Sequence, residues 1–344
     1  MAKQNLRIGM LSPVAWRTPP HTYGAWETVA SNITEELVRR GWDVTLFATK
    51  DSITSATLHA VIERGYEEDP TLDPKVCEYL HLSEAFEHAD EFDLIHSHYD
   101  FMALTYSRLV KPPVLTTIHG FSSPKILPVY RKYNGQVYYV SISNADRMPD
   151  LDYIATVYNG IDTSSYTFHA RPGEYLVFLG RIHPDKGTHL ACETAHRAGR
   201  RLIIAGIIQD EGYFKEKVKP YLDDVNIQFV GPVDIEGKNQ LFEQASAVLH
   251  LNELPERFGL VMVEANAAGV PVIAMDRGSC QEVIRQSETG FLVNSVDEAV
   301  KALDHIGDLD RYHCRRRVEQ YFSVQSMVDG YEEVYRRILN HSIG

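Results

Sequence analysis

Two glutamates, Glu256 and Glu264, stand with seven residues between them around Phe258-Gly259-Leu260-Val261. The surrounding stretch, 252–276, reads as a loop, a helix over 258–268, a stop at Gly269 and a buried strand over 271–275. The mouth of such a helix offers unpaired N–H groups and the positive end of the backbone dipole, which invite an anion. An acid near a helix start is also an ordinary feature, so Glu256 alone does not decide between the two readings. Glu264 is harder to dismiss. It lies in an apolar helix beside Val261, Val263 and Ala265, where a carboxylate needs a partner or a ligand. Upstream, Arg181 and Lys186 flank a strand-to-helix loop that ends in Gly187. Two cations so placed can hold a diphosphate through charge-assisted hydrogen bonds; alone, they are equally a solvated surface pair. On the same sheet as the Phe258 helix mouth, they make a phosphate site the stronger reading.

A second group of polar residues falls at predicted strand ends: His96, His98, His119, Ser143 and Asn159. A single histidine there is usually structural. Three at adjacent strand ends form either a structural cluster or the lining of a polar cleft.

These side chains need a scaffold, and the hydrophobic pattern supplies one. Short apolar runs at 6–11, 44–48, 92–97, 114–118, 137–142 and 154–157 read as strands of a first parallel sheet. A Pro-rich loop after the first run leads to Gly24. There a helix begins with Trp26, Ala30, Ile33 and Leu37 at helical spacing. Ligands of open α/β sheets sit at the carboxyl ends of strands, so this loop is a site candidate. It lacks G-x-G-x-x-G, which weakens a nicotinamide reading. Helices are expected near 75–80 and 83–88, and Ser143 to Arg147 reads as the start of another. A second unit follows, with strands at 176–179, 202–205, 227–230, 248–251, 271–275 and 291–293. Its helices fall near 187–198, 211–222, 236–246, 258–268, 279–286 and 296–306, and a last helix over 324–341 carries Met327, Tyr331, Val334, Tyr335 and Ile338 on one face. The expected division is 1–163 plus 325–344 for the first domain and 164–324 for the second.

At 344 residues the chain is long enough for two domains, and its net charge of −13 argues against broad nucleic-acid or anionic-membrane binding. Four distant cysteines, Cys77, Cys192, Cys280 and Cys314, read as reduced structural thiols of a cytoplasmic protein. Neither a signal peptide nor a membrane-spanning run is expected, although peripheral contact with a membrane stays compatible with the reading. Asp150-Leu151-Asp152 and Asp308-Leu309-Asp310 have Asp-x-Asp form, but neither follows a buried strand, and both read as surface or turn acids.

Three segments together resemble the retaining glycosyltransferases of family 4: Gly-Arg-Ile-His-Pro-Asp-Lys-Gly from Gly180, Pro-Glu-Arg-Phe-Gly-Leu-Val-Met-Val-Glu-Ala from Pro255, and Tyr-Asn-Gly-Ile-Asp from Tyr158. Tyr23-Gly24-Ala25-Trp26-Glu27 and Gly41-Trp42-Asp43-Val44 add to the likeness, which runs along essentially the whole chain. The resemblance implies an α/β GT-B fold: two Rossmann-like doubly wound domains facing across a cleft, with a C-terminal helix crossing back to the first. It implies transfer of a hexose-type sugar from a nucleotide-diphosphate sugar (UDP-, GDP- or ADP-linked) to a sugar, lipid-linked or small-molecule hydroxyl acceptor. Retention of anomeric configuration and no obligatory metal or other cofactor follow from the same likeness. It places Arg181 and Lys186 on the donor diphosphate and the Phe258-Gly259-Leu260-Val261 backbone on the phosphate and sugar. Glu256 then falls on sugar hydroxyls, Glu264 on the ribose, Gly24 close to the phosphate and His119 near the reacting centre. Trp26, His96 and His98 become acceptor-side residues. The family's second loop glycine is replaced here by Ala25, followed by bulky Trp26, so the acceptor is expected to differ from those of common relatives. Two other classes compete: a nucleotide-sugar epimerase on the same architecture, and a binding module without turnover.

Overall fold

The computed structural model describes residues 6–21, 24–121 and 123–341. The chain folds as two compact units. One comprises the residues up to Gly160 together with those from Val324 on, and the other Ile161–Ser323. Tyr23 and the first five residues, which entered the reading of the sequence, lie outside the described residues.

The first unit runs β1 (Arg7–Leu11), α1 (Ala25–Arg39), β2 (Asp43–Phe47), β3 (Thr57–His59), α2 (Pro74–Glu87), β4 (Leu94–Ser97), β5 (Val114–Ile118), α3 (Leu127–Tyr133), β6 (Tyr138–Ser141) and β7 (Tyr153–Thr156). Its seven strands lie in the order β3-β2-β1-β4-β5-β6-β7. β1, β4 and β5 are almost wholly buried, as a parallel sheet covered by helices requires. The chain builds outward from β1 through β2 to β3, then returns to the other side of β1 with β4. In doubly wound sheets this reversal is where ligands bind.

The second unit repeats the plan with β8 (Tyr175–Leu179), α4 (Thr188–Ala198), β9 (Leu202–Ala205), a single turn α5 (Glu211–Tyr213), β10 (Ile227–Gly231), α6 (Ile235–Glu243), β11 (Ala245–His250), α7 (Leu260–Ala267), β12 (Val272–Met275), α8 (Cys280–Val283), β13 (Gly290–Val293), α9 (Val296–Leu303) and α10 (Arg311–Tyr321). The six-stranded order is β10-β9-β8-β11-β12-β13, so the reversal here falls between β8 and β11. Finally α11 (Val324–His341) joins the core of the first unit. Met327, Val328, Tyr331, Val334, Tyr335 and Ile338 pack there with Ile8, Met10, Leu94 and Leu115.

Four expectations about elements change. The two short helices read near 75–80 and 83–88 are one helix, α2, capped by the Asp73 side chain on Val76 N–H, with no Gly or Pro to interrupt it. Ser143 to Arg147 forms a turn instead of a helix. Side chains there take the bonds a helix would need: Asp146 N–H donates to Ser143 Oγ at 3.2 Å, and Asn144 Oδ1 accepts from the Thr156 hydroxyl at 2.8 Å. The segment 211–222 is a series of turns of changing type, the last of them, Lys219–Tyr221, containing Pro220. The unexpected helix α10 follows Asp310, whose carboxylate caps it, so this acid of the Asp308-Leu309-Asp310 triplet is a helix start. In the other triplet Asp150 pairs with Arg131 at 2.5 Å, as a surface acid would. All four cysteines are buried and free. Among the described residues no helix is long and apolar enough to cross a membrane.

Candidate functional site

In the second unit the candidate residues gather on the two loops that leave β8 and β11, the strands flanking the reversal. After β8 the chain runs through Arg181 and a short turn at 184–186 to Gly187, which opens α4 with φ 62°. After β11 it runs through Asn252 and Glu256 to Gly259, φ 82°, which opens α7. The loops are laced together by Glu253 N–H donating to Asp185 O at 2.9 Å. They meet closely at Gly187, where a β-carbon would fall 2.0 Å from Leu251 O.

This approach brings Lys186 Nζ to 2.7 Å from Glu256 Oε2. His250 Nε2 lies 3.0 Å from the same oxygen, Asn252 Nδ2 also donates to it, and Arg257 N–H donates to Oε1 at 3.1 Å. Burial by itself would raise the Glu256 carboxyl. Hydrogen bonds and charge from His250 and Lys186 outweigh it and hold the group well below the usual carboxylate range. The carboxylate is therefore ionised, nearly out of water and met by four groups. Such a pair costs desolvation that only good geometry offsets. Its structural consequence is that Lys186 is held in one place.

Arg181, half-buried, donates to Gln209 Oε1. Phe258 is buried edge-on against Phe322 with ring centroids 5.8 Å apart, so it anchors the helix mouth and leaves Gly259, Leu260 and Val261 half-buried. Glu264, one turn into α7, has the partner its burial demands: Lys238 Nζ donates to Oε1 at 2.8 Å. Its Oε2 is buried with no hydrogen-bond partner among the described residues. The Tyr166 hydroxyl lies near enough that burial and the Glu264 charge raise it.

In the first unit Gly24 opens α1 at φ 144°, a conformation that suits only glycine, and a β-carbon there would fall 2.9 Å from Pro20 Cβ. Two residues on, Trp26 stacks on His119 at 5.4 Å between centroids. His98 Nδ1 lies 2.9 Å from His119 Nε2. Burial lowers His119 to about 3, so the ring is neutral at physiological pH and can exchange hydrogen bonds without acting as an acid. His98 is wholly buried, and its Nε2 has no partner among the described residues.

His96 requires a correction. It was expected on the acceptor side, but it is fully buried, with Nδ1 at 2.7 Å from the Tyr335 hydroxyl and Nε2 at 2.8 Å from Thr117 Oγ1. Thr117 in turn meets Tyr331. Both ring nitrogens are thus engaged in seating α11 on the sheet, and neither is left for an acceptor.

A cavity of about 730 Å³ opens beside Gly24 and Trp26, lined also by Trp16, Glu27, Tyr66 and Tyr99. The sequence reading gave Glu27 and Tyr99 no role. Glu27 faces inward from the first turn of α1, and the buried Tyr99 hydroxyl has no partner among the described residues. Burial, the largest influence, lifts the Glu27 carboxyl from 4.5 to about 7 against lowering hydrogen bonds from its own N–H and that of Trp16. Because the folded value is raised, the stability this group contributes is fully present below 4.5 and lost as pH rises through about 7. Glu27→Gln is expected to match the wild type near pH 4 and to exceed it near pH 8 by up to about 3 kcal/mol, read from thermal unfolding at the two pH values. No pH-dependent difference between the two proteins would show that the carboxyl titrates normally.

The cation–carboxylate pair at a glycine-opened helix mouth and the two parallel sheets are matched by comparison with known proteins. The model "Glycosyltransferase Family 4" matches residues 26–165, and "Glycosyl transferases group 1" matches 167–320. The chain belongs to the GT-B glycosyltransferases of family 4 type. A phosphatidyl-myo-inositol mannosyltransferase of Mycobacterium leprae is 25% identical over 86% of each chain. Among solved structures, sucrose-phosphate synthase from Thermosynechococcus elongatus shares the fold at TM-score 0.79 and 20% identity, covering 98% of this chain and 100% of that one. HepE of Anabaena, solved with UDP, shares it at TM-score 0.75 and 18% identity over 96% and 100%. As a glycosyltransferase the chain departs from its family's loop pattern at Ala25-Trp26. The departure has a structural counterpart, since Trp26 covers one face of His119.

Proposed function

We propose that this glycosyltransferase moves a hexose-type sugar from a nucleoside diphosphate sugar to a hydroxyl acceptor, with retention at the anomeric carbon and no obligatory metal. The observation that carries the reading is the Lys186–Glu256 pair, 2.7 Å apart, beside the helix mouth at Gly259. One N–H of the ammonium is taken by Glu256, which leaves two for phosphate oxygens. As the bond from the anomeric carbon to the leaving oxygen breaks, negative charge gathers on the diphosphate. Lys186, Arg181 and the free N–H groups of Leu260 and Val261 meet that charge. Glu256 has its Oε2 filled by three groups, so it positions Lys186, and only Oε1 keeps capacity for a sugar hydroxyl. Glu264 Oε2 is the unfilled acceptor for a ribose hydroxyl.

Retention needs no protein nucleophile on this reading. The acceptor hydroxyl attacks on the face the diphosphate leaves, and the departing phosphate oxygen takes its proton. On this reading Gly24 lies close to the donor phosphate and neutral His119 near the reacting centre, while Trp26 and His98 are the acceptor-side groups; Gly24 and Trp26 line the cavity that also holds Glu27 and Tyr99. The HepE structures with UDP and with UDP-glucose support a nucleotide-sugar donor, and the mycobacterial relative is named for mannose transfer. Uridine, guanosine and adenosine diphosphate sugars are all donor candidates, and a cytoplasmic protein has access to each.

A panel of these nucleotides and their sugars, screened by thermal shift, is expected to contain one base that stabilises the protein, since a ligand bound only by the native state raises its stability. With that donor and an accepted hydroxyl compound, NMR of the product should show the donor's anomeric configuration, and excess EDTA should leave the rate unchanged. An inverted product overturns retention, and loss of rate with EDTA overturns metal independence. Epimerised donor without acceptor would favour the isomerase, and stabilisation without turnover the binding module.

A further inference from the structure

Three side chains outside the transferase site converge on one point of the first unit. His59 ends β3, the edge strand of the sheet. Glu84 lies in the last turn of α2, and His88 directly follows that helix, four residues on and hence on the same helical face. His59 Nε2 is 2.7 Å from Glu84 Oε1, and His88 Nε2 is 3.3 Å from the same oxygen. The ligand atoms of all three residues lie within 4.8 Å of one another.

The carboxylate behind His88 is the telling feature. His88 Nδ1 stands 2.6 Å from Glu91 Oε1, a separation that only an N–H can bridge. With Nδ1 held by Glu91, Nε2 is the ring atom turned towards Glu84 and His59. Glu91 does for His88 what outer carboxylates do for metal-bound histidines: it fixes the tautomer and the ring direction. The His59 ring is held flat against Phe47, with centroids 5.0 Å apart.

We propose that His59, Glu84 and His88 bind a divalent transition metal of borderline softness, with Zn2+ the best fit. Two imidazole nitrogens and a carboxylate form a common ligand set for that ion. With bonds of about 2.0–2.1 Å, tetrahedral ligands stand about 3.3 Å apart, a spacing the present separations need only small side-chain movements to reach. The side chains are 31%, 28% and 37% exposed, so water can complete the shell and the ion can come and go. The ion would clamp edge strand β3 to the end of α2. It would act on the stability of this unit and not on sugar transfer, which uses none of these residues.

The test uses the full chain without an affinity tag, stripped with chelator and titrated with ZnCl2 by calorimetry and thermal unfolding. The expected result is one zinc per chain and a thermal midpoint that rises with zinc concentration. Glu84→Gln and His59→Asn should abolish both, and Glu91→Gln should weaken binding by about 10–100-fold through the outer contact alone. Co2+ in place of zinc should give the visible absorption of a four-coordinate complex, lost in the same variants. Zinc binding that persists undiminished in folded Glu84→Gln or His59→Asn overturns the assignment. So does a wild type that binds none, in which case the triad is a hydrogen-bonded cluster around a protonated His88.

Discussion

Alanine at Lys186 is expected to lower kcat by about 10²–10³-fold, the range found when one charge-stabilising donor is removed from a transition state. The same substitution should also cost stability, because it leaves Glu256 buried with one of its counter-charges gone. Breaking a buried ion pair from one side costs about 3–5 kcal/mol. Here His250, Asn252 and Arg257 still hold the carboxylate, so the loss should fall at or below the lower end. Glu256→Gln separates the two effects. It keeps the shape, removes the charge and lets Lys186 wander, so turnover should fall strongly while the fold survives. The Glu256 carboxyl is held below its ordinary 4.5 in the folded chain. Its stability contribution is therefore present above 4.5 and lost as pH falls below that value, and Glu256→Gln should lose part of the wild type's acid sensitivity. Steady-state rates with the stabilising donor, alongside unfolding curves at two pH values, check each part. Near-normal turnover in both purified variants would remove this pair from the site.

Gly187→Ala is expected to damage both the fold of the second unit and its site. The residue sits at φ 62°, where alanine costs about 1–2 kcal/mol. Its β-carbon would also stand 2.0 Å from Leu251 O and 2.9 Å from Leu251 C, both backbone atoms that no rotamer change can move. The β8 and β11 loops would have to separate, and the Lys186–Glu256 contact lies between them. Gly199 gives the control. It has the same φ of 62° at the other end of α4, but a β-carbon there meets nothing within 4 Å. Gly199→Ala should show the conformational cost alone. Gly187→Ala should lose more than 2 kcal/mol beyond it, and its turnover should drop as well. Equal denaturation midpoints for the two variants would mean that the loops yield without cost.

The legible parts of the chain share a physical cause. Strands of a parallel sheet are buried on both faces and read as short apolar runs, and every such run became a strand. The loops between them carry the glycines that positive φ demands at 24, 187 and 259. Helix α10 was not legible, for a reason visible in its contacts. Its sequence, Arg-Tyr-His-Cys-Arg-Arg-Arg-Val-Glu-Gln-Tyr, buries only Cys314 and Val318 as apolar side chains, too short a stripe to read. It docks through guanidinium groups on carbonyls: Arg311 on Ala245 O, Arg315 on Ala267 O at 2.9 Å, and Arg317 on Val283 O at 2.7 Å. Hydrophobic periodicity carries no trace of that bonding, because the acceptors are backbone atoms far away in sequence. β3 escaped for a related reason. It is a three-residue edge strand, half-exposed and only weakly apolar.

The site divides along the same line. Residue types and spacing alone determined that cations and acids attend a helix mouth at a strand end, because local backbone geometry and charge suffice for that inference. They also fixed the resemblance from which glycosyl transfer follows. Which side chain meets which was decided only by tertiary structure. Glu256 turned out to be the partner of Lys186, and the second counter-charge, Lys238 for Glu264, lies on another helix. The three strand-end histidines looked equivalent in sequence. Packing gave His96 to Tyr335 and Thr117, left His119 under Trp26, and put His98 between them. Their differing neighbours depend on α1 and α11, elements separated from them by up to 239 residues. Contacts over such distances leave no mark in local composition.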